Sequence, residues 1–349
     1  MENTSHQDQY AERLVQGFER VRLAQPKARV RQVATELGVS EYELLRAQPG
    51  GIVCRPLDGT LQDRVNALGT LGRVMALSRN ESVVHERHGQ YEKIRAGQGM
   101  GIVLGPDIDL RLFLEHWGPA CWVVENGRES LQFFDHAGQA VHKVYKTAET
   151  DSTAWNAYLQ QFRAQQFTQF TPQPLNKKQP TCTTLGSEVR DQWLAMKDTH
   201  ELHGILERAQ LRRIVALQQI GEDLAQEVPR DTAERMLKRV AEDQISLMCF
   251  VSNSGIVQIH SGPIHKVLRT GAWFNVLDPY FNLHLNTEHI DSVWVVTRPS
   301  VDGWITSLEC FNTEGEQIVQ FFGARKPGLP ELPAWRALMQ SYCSQLLAA

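Results

Sequence analysis

Hydrophobic residues recur along this chain with two alternating periods. From Tyr10 to Arg46, and again from Glu188 to Asp243, they return at steps of three and four, the spacing of one helix face. Each such stretch gives way to short runs of Val, Ile, Phe and Trp broken by Gly, Asn, Asp and Pro. Those runs predict antiparallel strands joined by hairpins, with turns at His136-Ala137-Gly138 and Glu314-Gly315. Helices followed by strands, twice over, predict an α+β fold and argue against an alternating parallel sheet.

The two halves also share their order. RVMALSRNESVVHERHGQYEKI, IDLRLFLEHW, CWVVE and SLQFFDHAGQAVHKVY in the first are echoed by SLMCFVSNSGIVQIHSGPIHKV, FNLHLNTEHI, VWVVT and SLECFNTEGEQIVQFF in the second. Val83 and Ile256 lie 173 residues apart, as do Leu110 and Leu283; Trp122 and Trp294 are separated by 172, Ser130 and Ser307 by 177. A near-constant offset predicts tandem duplication of one domain. The expected boundaries are 1–166 for the N-terminal repeat, 167–184 for a polar, proline-bearing linker, and 185–349 for the C-terminal repeat.

With 349 residues, 42% hydrophobic and 22% charged, the chain is long enough for two globular cores. A net charge of −4 provides no general basic field for nucleic acid or for an anionic membrane surface. No apolar run is long enough to span a bilayer, and the polar start MENTSHQDQYAERL is unlike a signal peptide, so membrane insertion is not expected. Six scattered cysteines without metal-type spacing read as reduced thiols, and the expected compartment is the cytoplasm.

Phosphate-loop, nucleophile-elbow, CxxC and CxxCH motifs are all missing. The stretch ARVRQVATELGVSEYELLRAQ (28–48) has helix-turn-helix spacing, but its second helix would offer Glu41 and Glu43 to phosphates. The expectation is therefore a helical hairpin packed on its own sheet. The stretch KDTHELH (197–203) falls one residue short of the HExxH zinc pattern and has no third ligand nearby, which disfavours a bare zinc ion. A helix over Ser187–Leu206 would align Val189, Trp193, Met196, His200 and His203 in one stripe. His200 then reads either as a packed core histidine or as an axial ligand in an apolar pocket, a setting suited to porphyrin iron.

The stretches DLRLFLEHW, SLQFFDHAGQAVHKVY, KDTHELH, WFNVLDPYFNLHL and DGWITSLECF resemble the bacterial HemS-like hemin-degrading factors, also called cytoplasmic heme-trafficking proteins. The resemblance runs from about Tyr10 to the Gly-Ala-Arg-Lys-Pro at 323–327. It implies two tandem α+β repeats, each a large antiparallel sheet flanked by helices, and heme (iron protoporphyrin IX) as the ligand. Matched residue by residue, it implies His200 as the iron ligand, with His203 as an alternative ligand during transfer or a plain surface residue. Arg111, Arg213 and Arg325 match pocket arginines, and Phe113 and Phe250 match aromatic walls. Two positions depart from the pattern: Arg298 stands where the family often has Lys, and Phe322 where it often has Tyr. His85 matches a first-repeat histidine associated with a second heme site, against the plainer reading of an edge-strand histidine in a hairpin.

Arginine forks suit propionates, and aromatic walls suit the faces of a porphyrin. The implied function is cytoplasmic heme binding in bacterial heme uptake. Heme would be received from an ABC importer and passed to a heme oxygenase, or degraded by the protein itself. Degradation would need outside electrons, since no flavin or nicotinamide motif is present. A heme-responsive DNA-binding regulator is the remaining and least favoured reading.

Overall fold

A computed structural model describes residues 2–174, 180–326 and 328–349, and the side chains from residue 9 onward. Positions 175–179 of the expected linker, and Pro327 at the end of the resemblance, lie outside the described residues. The chain divides into two compact units: Met1–Ser78, Arg87–Asn176 and Asn253–Val257 form the first, and Arg79–Glu86, Lys177–Ser252 and Gln258–Ala349 the second.

In chain order the first repeat runs α1 (Glu2–Ala24), α2 (Val30–Leu37), α3 (Glu41–Arg46), β1 (Val53–Leu57), α4 (Leu61–Asn66), β2 (Val74–Arg79), β3 (Val83–Gly89), β4 (Arg95–Ala96), β5 (Met100–Leu104), β6 (Asp109–Phe113), β7 (Trp117–Glu125), β8 (Arg128–Asp135), β9 (Ala140–Tyr145) and α5 (Ser152–Phe162). The second continues with α6 (Ser187–Leu194), α7 (Glu201–Arg208), α8 (Arg213–Gln219), β10 (Ala225–Val228), α9 (Thr232–Asp243), β11 (Leu247–Ser252), β12 (Ile256–Gly262), β13 (Val267–Thr270), β14 (Trp273–Leu277), β15 (Phe281–Asn286), β16 (Ser292–Ser300), β17 (Gly303–Phe311), β18 (Gln317–Gly323) and α10 (Pro333–Tyr342).

The first unit holds the antiparallel run β1-β7-β8-β9-β2 and the smaller run β4-β5-β6. The second repeats both, as β10-β16-β17-β18-β11 and β13-β14-β15. The α+β class and the tandem duplication expected from the offsets are what the structure contains.

Strand alternation explains how each sheet serves two cores. On β16–β18, Val293, Val295, Leu308, Cys310, Val319 and Phe321 face α9 and α10, where Met236, Val240, Trp335 and Met339 are buried. Trp294, Val296 and Phe311 join the opposite core with Trp193, Leu202, Ile205 and Leu217 of α6–α8. In the first unit, Leu131, Phe133 and Val144 pack with Trp155 and Tyr158 of α5, while Cys121, Val123 and Phe134 meet α1–α3. Trp155 and Trp335 are counterparts even in their polar ends, donating Nε1–H to Glu129 Oε2 at 2.9 Å and to the Thr306 carbonyl at 3.0 Å.

The N-terminal hairpin turns inward, as expected. Gly38 ends α2 at φ 68°, a left-handed conformation that a side chain would resist. Ser40 caps α3 in a reciprocal box with Glu43, which occupies that carboxylate at the helix start. Glu41 is buried and ion-paired with Lys143, and the Tyr42 N–H donates to the Gly138 carbonyl at 3.0 Å. Tyr42, Leu44 and Leu45 are likewise buried, so the face a DNA reader would present is spent on the protein's own core. Among the described residues, no helix is long and apolar enough to cross a membrane.

His142, on β9, is fully buried between two hydroxyls: Ser78 Oγ is 2.8 Å from Nδ1 and Tyr91 Oη 2.5 Å from Nε2. Burial pushes its pKa down to about 3, from an ordinary value near 6.5. The depressed folded-state value means that its contribution to stability is fully present above about pH 6.5 and is lost as pH falls toward 3. We expect His142→Gln to remove roughly one proton from the acid limb of unfolding, read as a shallower pH dependence in urea melts between pH 6.5 and 4.

Candidate functional site

The second unit carries an ionic cluster that a period-two strand does not foretell. Glu309 points from β17 into the layer between sheet and helices and is completely buried. Arg213, at the start of α8, grips it with both forks: Nε to Oε2 at 2.6 Å and Nη2 to Oε1 at 2.7 Å. Arg298 sits on β16 opposite Ile305, on the same face as Glu309. Its Nη2 bonds Ser307 Oγ at 2.7 Å and Glu309 Oε1 at 2.8 Å. Ser307 Oγ and Gln317 Nε2 complete the shell, each donating to Glu309 at 2.8 Å.

Burial alone would raise the Glu309 carboxyl, but Arg213 and Arg298 beside it hold it down at about 2. Burial lowers Arg298 to about 10, and the neighbouring Arg213 adds to that effect. Two guanidiniums against one carboxylate leave this trio with one positive charge in excess. The Arg298 Nε is buried with no hydrogen-bond partner among the described residues.

An aromatic surface adjoins the cluster. The Arg298 guanidinium carbon lies 5.2 Å from the ring centre of Phe322, within cation–π range. Phe322 in turn meets Phe250 edge-on, with centroids 5.2 Å apart. Register explains the meeting: Phe322 faces Ser307 on one side and Met248 on the other, while Phe250 faces Gln320. Met248, Phe250, Gln320 and Phe322 are all only partly buried, so this edge of the sheet face is accessible.

His200 departs from the expected stripe. Val189, Trp193 and Met196 are buried, but the helix breaks after Leu194 and resumes at Glu201. His200 is the residue before α7, and its side chain is 88% exposed. Competing hydrogen bonds cause the break. The Lys197 carbonyl, which a continuous helix would give to the Glu201 N–H, takes the Val301 N–H at 2.9 Å. The Glu201 carboxylate folds back onto the Lys197 and Asp198 N–H groups at 3.1 and 2.9 Å. Asp198 Oδ1 then accepts from His200 Nδ1 at 2.6 Å, which leaves Nε2 as the nitrogen available to a metal. Hydrogen bonds from the His200 backbone and ring keep the Asp198 carboxyl below its usual range. His203 is also exposed. Among the described residues, no group of three His, Cys, Asp or Glu side chains would hold a bare metal ion.

Other predicted positions fall as follows. Arg325 donates to Asp302 at 2.7 Å, beside the Val301 that binds the histidine loop, and its charge reaches Asp198. Arg298 is three residues along β16 from that loop contact, roughly 10 Å at strand rise. Arg213, Arg298, Phe250 and Phe322 thus form one group, with Arg325 and His200 around the adjacent turn. Arg111 and Phe113 belong to β6 of the first unit, both half-buried, with Arg111 ion-paired to Asp109. His85 is completely buried, its ring 5.1 Å from that of Phe281, and so is no open-edge residue. Sequence reasoning missed Glu309, Gln317, Asp198 and Asp302. The available signal for Glu309 was a lone acid between Leu308 and Cys310, at an inward strand position.

The model of the haemin-degrading HemS.ChuX domain matches twice, over residues 38–162 and 210–342. The chain belongs to the HemS family. It is 38% identical to the hemin transport protein HemS of Yersinia enterocolitica, across 89% of this chain and 92% of that one. It is 36% identical to HmuS of Yersinia pestis, across 96% and 99%. Among solved structures, apo-PhuS, a heme-binding protein from Pseudomonas aeruginosa, superposes with a TM-score of 0.91 at 38% identity, covering 96% of this chain and all of that one. The Escherichia coli O157:H7 heme degrading enzyme ChuS gives 0.89 at 32%, covering 95% and 99%. The twofold match of the HemS domain is the duplication that the offsets of Val83 and Leu110 predicted.

Glu309→Gln should leave buried Arg298 and part-buried Arg213 without their anion. We expect a loss of about 3–5 kcal/mol of stability in denaturant melts at pH 7, the typical cost of breaking a buried pair. The loss should shrink toward pH 2, because the wild-type carboxylate, depressed below about 4.5, surrenders its contribution as pH falls through its folded value.

Proposed function

We propose that this HemS-family protein binds heme as cargo in bacterial heme uptake, accepting imported heme in the cytoplasm and delivering it to a heme oxygenase. The observation that carries the reading is His200: an exposed imidazole whose Nδ1 is held by a carboxylate and whose Nε2 is free to meet iron. The names of its relatives, hemin transport proteins and a heme-binding protein, support it. The excess charge of the Arg213–Arg298–Glu309 trio suits a propionate, and Phe250 and Phe322 suit a porphyrin face. Arg325 adds a second cation near the histidine loop, and the half-buried Arg111 and Phe113 are proposed as further heme contacts on the strength of the family resemblance. His203 stands as the alternative ligand during transfer. An ABC importer is the proposed donor.

A second reading is ring opening by the protein itself, favoured by the solved E. coli ChuS, described as a heme oxygenase, at 34% identity. Electrons would come from a partner or a small reductant. One experiment separates the two. The heme-loaded protein is given a reductant with catalase present, and the Soret band and products are followed. A stable band that moves only on addition of a heme oxygenase establishes the carrier; loss of the band with defined tetrapyrrole products establishes the enzyme.

His200→Ala should shift the Soret band and speed heme loss. If the spectrum and off-rate equal the parent's while His203→Ala changes both, the ligand assignment is wrong. The arginines should behave differently from one another. Arg111→Ala should weaken heme binding roughly tenfold to a hundredfold with little change in the apo melting profile, because its partner Asp109 is solvent-accessible. Arg213→Ala should lower both affinity and apo stability, because it also takes from buried Glu309 one of its two cationic partners and two of its hydrogen bonds. Titration of heme beside thermal unfolding of each apo variant checks both outcomes.

A further inference from the structure

The loop joining α6 to α7 distinguishes two imidazoles that are otherwise alike. His200 and His203 are both exposed and three residues apart. Asp198 Oδ1 receives two hydrogen bonds from His200, from its backbone N–H at 2.9 Å and from ring Nδ1 at 2.6 Å. Among the described residues, no hydrogen bond orients the ring of His203. The loop that carries Asp198 is itself held in place. Glu201 binds the Lys197 and Asp198 N–H groups, the Lys197 carbonyl holds the Val301 N–H, and Arg325 and Asp302 brace the adjoining turn.

A carboxylate is an acceptor only, so the Nδ1 facing it must carry the proton. A neutral ring with Nδ1–H has its lone pair on Nε2, and an ionised acceptor behind it makes that lone pair more basic. Free neutral imidazole side chains in water favour the opposite tautomer, with the proton on Nε2, where it would have to be displaced by a metal. We infer that Asp198 is a positioning residue that selects His200 over His203 as the resting axial ligand, by fixing its tautomer and aim and by strengthening its bond to iron. The inference rests on the heme-binding reading.

The test uses the full chain with and without heme. In the apoprotein, nitrogen-15 correlation spectra of the histidine rings at pH 8 should show His200 as the Nδ1–H tautomer. Asp198→Ala should move it toward Nε2–H, while Asp198→Asn, whose amide oxygen still accepts, should keep it. In ferrous heme complexes, the iron–histidine stretching frequency should fall in both variants, because both lack the anionic acceptor. Heme transfer to apomyoglobin should quicken about tenfold or more in Asp198→Ala, and Asp198→Glu should restore part of the loss. An apo melting profile unchanged in Asp198→Ala would show that the loop has not simply unfolded. The inference is overturned if the His200 tautomer ignores Asp198→Ala, or if the stretching frequency is the same in all variants. If instead the wild-type band persists in His200→Ala, the ligand reading itself fails and takes this inference with it, whatever Asp198 does to the apo ring.

Discussion

A carboxylate with no access to solvent sets the terms for the second unit. Glu309 is ionised in the middle of a packed strand, so every one of its lone pairs must be met. Arg213 comes from α8, Arg298 from β16, Ser307 from β17 itself and Gln317 from β18. One anion therefore specifies how a helix and three strands meet. A well-packed apolar substitute could be equally stable, so stability alone does not explain its presence. What an apolar core would lack is the second arginine. Arg298 is drawn under the sheet face by Glu309 and by Ser307, and the Phe322 ring rests on its guanidinium.

The first unit shows what the same scaffold does without that anion. Ser130 corresponds to Ser307, and the same offset of 177 places Gln132 opposite Glu309. Gln132 donates to Ser130 Oγ at 3.0 Å, a neutral pair in place of an ionic cluster. Likewise, His284, hydrogen-bonded to Asn275 at 2.7 Å, stands where the first unit has Arg111. The duplicated folds have kept their apolar alternation and the pairs Trp122/Trp294 and Trp155/Trp335 while exchanging charge at these two inward polar positions.

The duplication was legible because it is written in one dimension: strand periodicity and the spacing of Val, Leu and Trp survive without knowledge of pairing. The inward turn of the N-terminal hairpin was legible too, from Glu41 and Glu43 on its would-be reading face. The site was only partly so. The continuous helix expected over Ser187–Leu206 failed because the Lys197 carbonyl finds a partner more than a hundred residues away, at Val301. No local pattern reports such a competitor. The same holds for Glu309, whose role depends on the register that sets Arg298, Ser307 and Phe322 on one face. The family resemblance recommended Arg213 and Arg298 as cations for a ligand; only the packed structure shows that both are already engaged by one internal acid.

The assignment of residues to the two units bears on how the chain is made. Asn253–Val257 belongs to the first unit, where the Trp117 indole donates to the Gly255 carbonyl at 2.8 Å and the Asn253 side chain to the Val141 carbonyl at the same distance. Synthesis from the N-terminus delivers that strip only after α6 through β11 have already emerged. Until then the nascent first repeat carries a buried-type tryptophan with an unmet N–H and a strand set short of its last piece. Its consolidation on the ribosome is postponed to the moment the second repeat begins to fold. A gene dissected at the apparent repeat boundary would for the same reason yield a fragment wanting five residues encoded nearly ninety codons beyond its end.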